Sequence, residues 1–231
     1  MDGYRPRMSS ERVEVLRQWH DDASERLHAL GAHSVTYLGL ELDIPEQVFP
    51  PTPTSDLLGD QVRARVATDH RVLDMGSGAG ANAILAAQTA RDVVAVDVNP
   101  VAVEATAANA ARNGVGDRVD AHLSDVFDDV DGDFDLIVID PPFRWFRPRD
   151  LLERAVADEN YESLGRFMSD VSSRLRPGGE VLLFFGTSGD VEYLDELIAT
   201  AGLTSAVVAE RTMMVRGEEA TYFVRSLSVG Q

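Results

Sequence analysis

Short apolar runs separated by alanine-rich stretches follow one another from Arg71 onward, and this alternation constrains the fold more than any other feature of the chain. We predict strands at 71–75, 93–97, 118–123, 134–139 and 180–185, and helices near 79–90, 100–113, 160–175 and 190–201. Strands that alternate with helices favour a parallel sheet wrapped by helices. The end of the chain differs, because "TSAVVAERTMMVRG" and "EEATYFVRSLSV" are typical of two strands joined by a glycine-containing turn, which would add an antiparallel pair to the sheet.

The first part of the chain predicts an extension in front of this sheet. Apolar residues recur every three or four positions between Ser9 and Leu30, as in an amphipathic helix. The segment "SVTYLGLELDIP" alternates apolar and polar residues like a strand or hairpin. After it, "VFPPTPTSDLL" is a proline-rich loop that leads into a helix capped at Thr54 or Ser55. We therefore divide the chain into an extension at 1–56 and a main domain at 57–231.

Composition excludes several classes of function. With 231 residues the chain can bury one sizeable core. No apolar run approaches the ~20 residues that span a bilayer, so we expect a cytoplasmic protein without a membrane partner. The chain has no cysteine and no lysine, which excludes thiolate ligands, cysteine nucleophiles and Schiff-base lysines, and its five histidines show no metal-ligand spacing. A net charge of -18 repels phosphate backbones, so we expect small molecules or proteins as partners rather than nucleic acids.

The stretch "VLDMGSGAGANAILAA" combines a strand, a glycine-rich turn and a helix, so the turn is expected to pass close to a ligand at the carboxyl end of the strand. Gly76, Gly78 and Gly80 form G-x-G-x-G around Ser77, whereas nicotinamide dinucleotide sites use G-x-G-x-x-G. Asp74 precedes the first glycine by two residues, and its carboxylate would repel a pyrophosphate. The motif therefore opposes a nicotinamide enzyme and suits a ligand with an ammonium group.

Two further acids end the next two predicted strands. Asp97 could accept both hydroxyls of a ribose, and Asp125 could accept the exocyclic amine of an adenine. Each also has a structural alternative, since Asp97 could cap a helix before Pro100 and Asp125 could occupy a turn. Their common position at successive strand ends favours a ligand site, in which we include the next residues, Val98 and Val126. Together, these acids and the glycine-rich turn predict a ligand that consists of an adenosine with a cationic amino-acid tail. S-adenosylmethionine fits this description as the cofactor.

The fourth predicted strand ends in the DPPF corner, which comprises Asp140, Pro141, Pro142 and Phe143. A planar amino or amide nitrogen attacks a methyl group poorly until hydrogen bonds from its N–H groups draw it toward pyramidal geometry. The Asp140 side chain and the Pro141 carbonyl can accept those bonds, and Phe143 can stack on a flat substrate. We predict these three as catalytic residues and Pro142 as a substrate contact. The alternative is a proline-rich turn with Phe143 in the core.

The ordered set of Asp74 with its glycines, Asp97, Asp125 and the DPPF corner resembles the class I S-adenosylmethionine-dependent methyltransferases. The resemblance covers the chain from about Leu57 to its end. It implies an α/β fold with a seven-stranded, mostly parallel Rossmann-like sheet and an antiparallel C-terminal strand pair, behind an N-terminal extension of helix and strands. It also implies that Asp140 lies near the cofactor, because members that methylate nitrogen carry Asn, Asp or Ser before Pro-Pro and an aromatic residue.

The proline-rich loop resembles the segment that lines the active site in the release-factor glutamine methyltransferase family and its small-domain relatives. By this resemblance Phe49, Pro51, Thr54 and Asp56 would approach the cofactor or the acceptor. That family usually has Asn where this chain has Asp140, since an amide pairs with a glutamine amide whereas a carboxylate only accepts hydrogen bonds. It also has a larger helical region before the sheet. These departures favour a small-molecule amine or amide, or another single protein side chain, as the acceptor.

The segment "FRWFRPR" brings arginines and aromatic residues next to the DPPF corner, and we predict Arg144 and Trp145 as substrate contacts. The arginines at 144, 147 and 149 could bind phosphates or a substrate carboxylate, or could pair with Asp150, Glu153 and Glu159 at the surface. The sequence thus predicts an S-adenosylmethionine-dependent N-methyltransferase, as a monomer or homodimer. The alternatives are an RNA or DNA amino-group methyltransferase and a non-catalytic cofactor-binding or assembly subunit.

Overall fold

The computed structural model describes residues 4–230, and its first elements are a helix and a hairpin. Helix α1 spans Ser10–His28, and the Ser9 hydroxyl caps it by accepting the Arg12 N–H at 3.2 Å. Strands β1 (His33–Tyr37) and β2 (Leu40–Ile44) pair antiparallel around a two-residue turn in which both residues have positive φ, as such tight hairpins require. The segment predicted as a strand or hairpin is therefore a hairpin.

The main sheet has the predicted architecture. Its elements are α2 (Asp56–Arg65), β3 (Arg71–Met75), α3 (Ala81–Ala87), β4 (Asp92–Asp97), α4 (Pro100–Arg112), β5 (Val119–Leu123), β6 (Phe134–Ile139), α5 (Glu162–Asp170), β7 (Leu175–Gly186), α6 (Val191–Thr200), β8 (Leu203–Val215) and β9 (Glu218–Val229). The strand order is β5-β4-β3-β6-β7-β9-β8, with parallel pairs as far as β7 and antiparallel pairs at β9 and β8. This confirms the predicted seven-stranded fold.

The predicted helix at 160–175 is shorter and interrupted. A 3-10 turn at Glu159–Tyr161 precedes α5, and a second one, Val171–Arg174, follows it. Asn160 and Tyr161 have φ of 58° and 55°, a left-handed conformation that an α-helix excludes for ordinary residues. The prediction failed here because the apolar spacing continues through the break, while the left-handed pair is set by tertiary contacts that are described below.

The core lies on both faces of the sheet because successive strand residues point in opposite directions. Leu73, Ile137 and Leu183 face α1, α5 and α6 on one side, whereas Leu136 and Leu182 face α2, α3, α4 and the hairpin on the other. From β3 the chain runs outward through β4 to β5, then returns to β6 on the opposite side of β3. Such a reversal of strand order opens a crevice at the carboxyl ends of the strands, where ligands of open α/β sheets bind.

Two asparagines fasten the hairpin to α4. Asn109 exchanges hydrogen bonds with the backbone of Asp43, both at 2.9 Å, and Asn113 does the same with Glu41 at 3.1 and 2.9 Å. Asn109 also donates to the Ala79 carbonyl in the glycine-rich loop at 3.0 Å. The hairpin, α4 and the glycine-rich loop are thus directly hydrogen bonded to one another. Within residues 4–230, no helix combines the length and apolar character needed to cross a bilayer.

Candidate active site

A cavity of about 770 Å³ opens at the carboxyl ends of β3, β4, β5 and β6. This volume lies within the ~300–1,000 Å³ that is typical of small-molecule sites. The cavity brings together most of the predicted site residues, namely Phe49, Pro51, Thr54, Gly76, Ser77, Gly78, Asp97, Val98, Asp125, Val126, Asp140, Pro141, Pro142, Phe143 and Arg144. Residues from the proline-rich loop, three strand ends and the DPPF corner therefore share one site.

Four predicted site residues lie outside the cavity wall. Asp56 pairs with Arg211 at 2.8 Å instead of approaching the cavity. Asp74 is 2% exposed and lies behind the glycine-rich loop, where it accepts the Ala83 N–H from the first turn of α3 at 2.9 Å. Gly80 begins α3 with φ +84°, and a Cβ there would lie 3.0 Å from the Thr106 side chain, so its role is close packing. Trp145 is buried against Phe146, and the prediction that it contacts substrate is corrected by this position.

The glycine-rich loop is held open toward the cavity. Gly76 and Gly78 have φ of +76° and +55°, and a Cβ built at Gly76 would meet no atom within 4 Å. The Gly76 and Ser77 N–H groups donate to the Val96 carbonyl at 2.8 and 3.0 Å, which fixes the loop against β4. The loop therefore leaves free space directly in front of its backbone, where the tail of a ligand can approach closely.

Asp97 connects the loop to the end of β4. One carboxylate oxygen accepts the Gly78 N–H and the other accepts the Asn99 N–H, both at 2.9 Å. The side chain is partly exposed to the cavity, and burial raises its pKa in spite of these bonds. The cap of α4 is Asn99, whose side chain accepts the Val101 N–H at 3.0 Å. Asp97 thus keeps lone pairs for the hydroxyls of a ligand and is not the helix cap.

The loop after β5 forms another wall of the cavity. Val126 has φ 57°, which is unusual for a β-branched residue, and the Ser124 hydroxyl holds this conformation by donating to the Val126 carbonyl at 2.8 Å. Asp129 N–H in turn donates to the Ser124 hydroxyl at 3.1 Å. The Asp125 carboxylate pairs with Arg166 at 3.0 Å, so an adenine amine would share this carboxylate with a guanidinium.

Asp140 presents a free carboxylate to the cavity. Its side chain is exposed to the cavity, and neither oxygen accepts a hydrogen bond from residues 4–230. Desolvation by the surrounding cavity walls and the nearby charge of Asp74 raise the pKa of Asp140 to about 7. Burial also raises the pKa of Asp74 to about 7. The hydrogen bond from the Ala83 N–H lowers this pKa, and the negative charge of Asp97 adds a smaller increase. Clustered acids with raised pKa values favour a bound cation.

Phe143 is half-buried at the cavity wall, so it is neither a free surface ring nor a fully buried core residue. Its ring packs 5.0 Å from Phe185 and 6.2 Å from Tyr222. Its carbonyl accepts the Tyr161 hydroxyl at 2.6 Å, and the same hydroxyl oxygen accepts the Asp190 N–H at 2.9 Å. The left-handed turn at Tyr161 thus delivers a buried hydroxyl that fixes the DPPF corner, a contact for which the sequence gives no signal.

The arginines of "FRWFRPR" have different surroundings. Arg147 has a side chain that is 83% exposed and lies 3.8 Å from Glu159, and the Arg149 Nε donates to Glu153 at 2.6 Å. The surface pairing considered for the patch is therefore observed for these two, whereas Arg144 lines the cavity. Other lining residues that the sequence analysis did not identify are His20, Arg154, Arg166 and Tyr222. They come from elements that carry no recognisable motif.

Comparison with known proteins places the chain among methyltransferases. Residues 52–211 match the family model described as the methyltransferase small domain. The chain is 29% identical over 187 residues to the ribosomal protein L11 methyltransferase of Symbiobacterium thermophilum, covering 78% of this chain and 50% of that protein. It is 31% identical over 127 residues to the release factor glutamine methyltransferase of Agrobacterium fabrum, covering 52% of this chain and 44% of that protein. The chain thus spans about half the length of these relatives.

Solved structures show the same fold. The ribosomal protein L11 methylase of Lactobacillus delbrueckii subsp. bulgaricus superposes with a TM-score of 0.60 and 23% identity, covering 82% of this chain and 84% of that one. The tRNA m1G37 methyltransferase of M. jannaschii superposes with a TM-score of 0.63 and 17% identity, covering 87% and 57% of the two chains. At these identities the likeness is one of fold.

Proposed function

The chain belongs to the methyltransferase small domain family, and from this premise we propose that it transfers a methyl group from S-adenosylmethionine to a nitrogen held at the DPPF corner. The observation that carries the proposal is the free carboxylate of Asp140. It lies at the end of β6, open to the cavity and without a hydrogen bond from residues 4–230. It is therefore available to accept hydrogen bonds from a nitrogen substrate.

The cavity fits the cofactor of such methyltransferases, S-adenosylmethionine. The free space in front of Gly76 suits an amino-acid tail, and the lone pairs of Asp97 suit ribose hydroxyls. Desolvation, and to a smaller degree the mutual repulsion of neighbouring acids, raises the pKa values of Asp74 and Asp140, and a cation bound nearby would favour their ionised forms whereas a phosphate would not. When bound, the cofactor supplies a methyl group on a positively charged sulfur.

The residues of the DPPF corner orient the acceptor. Asp140 and the Pro141 carbonyl accept N–H hydrogen bonds, which align the nitrogen lone pair, while Phe143 packs against a flat substrate. Alignment of reacting groups can account for ~7–11 kcal/mol of an activation barrier. A carboxylate with a pKa of about 7 can also take up the proton that the nitrogen loses, since a general base works best near the operating pH.

The acceptor in this proposal is a small molecule or a single protein side chain. The relative from Agrobacterium is named for a glutamine of release factors, but the ionised Asp140 carboxylate only accepts hydrogen bonds and offers no donor to a glutamine carbonyl, so an amine suits this form of the site better. A nucleic acid is less favoured, because the chain carries a net charge of -18 and Arg147 and Arg149 are paired with acids.

Cofactor binding and transfer can be tested separately. Calorimetric titration with S-adenosylhomocysteine should show binding to the wild type and to Asp140→Ala, and at least tenfold weaker binding to Asp97→Ala. Lack of binding to the wild type refutes the cofactor assignment. Methyl-labelled donor is then incubated with three fractions of a cell extract, namely small molecules, proteins and nucleic acids. We expect base-stable label in the first or second fraction with the wild type and none with Asp140→Ala. Label confined to nucleic acid would contradict the proposed acceptor.

A further inference from the structure

Arg144 follows the DPPF corner directly and lines the cavity, yet its guanidinium is not paired with an acid. One terminal nitrogen donates to the Ser188 carbonyl, and Nε is buried without a hydrogen-bond partner among residues 4–230. Within the same residues no carboxylate lies within 4.0 Å of it, in contrast to Arg147 and Arg149. The Arg144 carbonyl accepts the Asp158 N–H at 2.8 Å, which fixes the backbone that carries the side chain.

A partly buried cation without a counter-charge is costly. Burial lowers the pKa of Arg144 to about 10, and Tyr222 and Tyr161 act in the opposite direction to a smaller extent. The guanidinium nevertheless stays charged at neutral pH, so its desolvation remains uncompensated in the protein alone. An oxyanion bound beside it would supply the missing charge and could form two parallel hydrogen bonds with the planar guanidinium.

Tyr222 offers a second donor on the same wall. Its hydroxyl makes no hydrogen bond within residues 4–230, and its ring packs 6.2 Å from Phe143. The other cavity arginines are engaged differently, because Arg166 pairs with Asp125 and the positive charge of Arg154 acts on Asp97 at the end of β4. The unpaired donors therefore lie next to the DPPF corner.

We infer that the methyl acceptor is a small molecule that carries its own oxyanion, a carboxylate or a phosphate, which binds Arg144 and Tyr222 while its nitrogen contacts Asp140. This inference rests on the proposed function and assigns its substrate class. A lysine or glutamine side chain brings no anion to this depth. The backbone phosphates of a nucleic acid would remain outside the cavity, where Arg147 and Arg149 are already paired with acids.

The test uses small anions as probes on the full chain saturated with S-adenosylhomocysteine. Acetate and inorganic phosphate represent the two oxyanion types, acetamide is the neutral counterpart of acetate, and chloride keeps the ionic strength constant. Arg144→Met removes the charge and keeps a long side chain. Arg147→Met is the matched control, because it removes an exposed arginine three residues away. Apparent affinities are measured from the increase in unfolding temperature with probe concentration.

We expect acetate or phosphate, but not acetamide, to stabilise the wild type and Arg147→Met, and the tighter of the two anions identifies the group on the acceptor. Arg144→Met should bind that anion at least tenfold more weakly while its affinity for S-adenosylhomocysteine changes less than threefold. Equal anion binding by the wild type and Arg144→Met would overturn the inference, as would methyl label found in the protein fraction alone. If Arg144→Met does not fold, Arg144→Gln replaces it, because Gln also removes the charge but keeps a polar side chain, and unchanged anion affinity in that variant would be equally contrary.

These outcomes separate the inference from the proposed function. Absence of S-adenosylhomocysteine binding contradicts the cofactor assignment, and the anion titration can still be carried out on the free protein. Normal S-adenosylhomocysteine binding without any specific anion response contradicts only the assigned substrate class.

Discussion

The replacement Asp74→Asn tests whether buried charge behind the glycine-rich loop destabilises the free protein. Burial raises the pKa of Asp74 from 3.8 to about 7. Between these values the folded chain keeps a proton that the unfolded chain releases, so this group's contribution to stability is full below pH 4 and is lost as the pH rises through 7. Three pKa units correspond to about 4 kcal/mol at 1.36 kcal/mol per unit. Asn does not titrate, so the variant should lack this part of the pH dependence.

The difference in free energy of unfolding between Asp74→Asn and the wild type also includes a destabilisation that does not depend on pH. The Asn side chain can still accept the Ala83 N–H, but its own N–H groups would be buried without partners, which costs about 1–3 kcal/mol at every pH. We therefore expect the variant to be less stable than the wild type at pH 5, and to equal or exceed it at pH 8. The difference between these two comparisons, about 2–4 kcal/mol, is the quantity that tests the reasoning.

Urea unfolding at pH 5 and pH 8, followed by tryptophan fluorescence and circular dichroism, measures both free energies. Asp117→Asn is the matched control, because Asp117 is exposed and the same charge is removed there. The control should follow the wild type at both values. If Asp74→Asn loses as much stability as the wild type between pH 5 and pH 8, Asp74 does not titrate as described, and the account of clustered acids at the strand ends is wrong.

Two further predictions concern the packing around the site. Tyr161→Phe removes a hydroxyl that hydrogen bonds to two backbone groups, so it should lower the free energy of unfolding by about 1–3 kcal/mol. Tyr193→Phe is its control, because the Tyr193 hydroxyl makes no hydrogen bond in the described part of the chain, and it should change the free energy of unfolding by less than about 0.5 kcal/mol. Gly80→Ala should lower the free energy of unfolding by at least about 1–2 kcal/mol, because φ at this residue is +84° and the new Cβ would lie 3.0 Å from Thr106. Gly165→Ala is its control and should raise the free energy of unfolding by about 0.5–1 kcal/mol, because a Cβ on this α5 residue would meet no atom within 4 Å. Both pairs are compared by urea unfolding, and equal effects within a pair would contradict the assigned contacts.

The strand ends could be predicted from the sequence because parallel strands separated by helices bring their carboxyl ends to one edge. On this ground the sequence predicts Gly76, Asp97 and Asp140 at one site, and all three line the same cavity. The side on which a residue lies was harder to predict. Asp74 lies behind the loop, because its carboxylate binds the first turn of α3, and Trp145 turns into the core beyond the two prolines that interrupt the strand period.

The remaining differences come from elements without a motif. His20 reaches the cavity from α1, and Tyr161 reaches the DPPF corner through a left-handed turn, which only tertiary contacts impose. Neither the spacing of apolar residues nor local propensity encodes such contacts. The division of the chain at residue 56, the cytoplasmic location and the monomeric or homodimeric state stay predictions.

The attachment of the hairpin to α4 has a consequence for the chemical ageing of the protein. Asn113 is followed by Gly114, which lacks the Cβ that would hinder attack of the next backbone nitrogen on the asparagine side chain, so this amide is prone to deamidation. The resulting carboxylate cannot donate to the Glu41 carbonyl, which the Asn113 amide contacts at 2.9 Å. Asn109 is buried and followed by Ala110, and it would continue to hold the other end of the hairpin. Aged samples should therefore gain one negative charge and loosen at the turn end of the hairpin first.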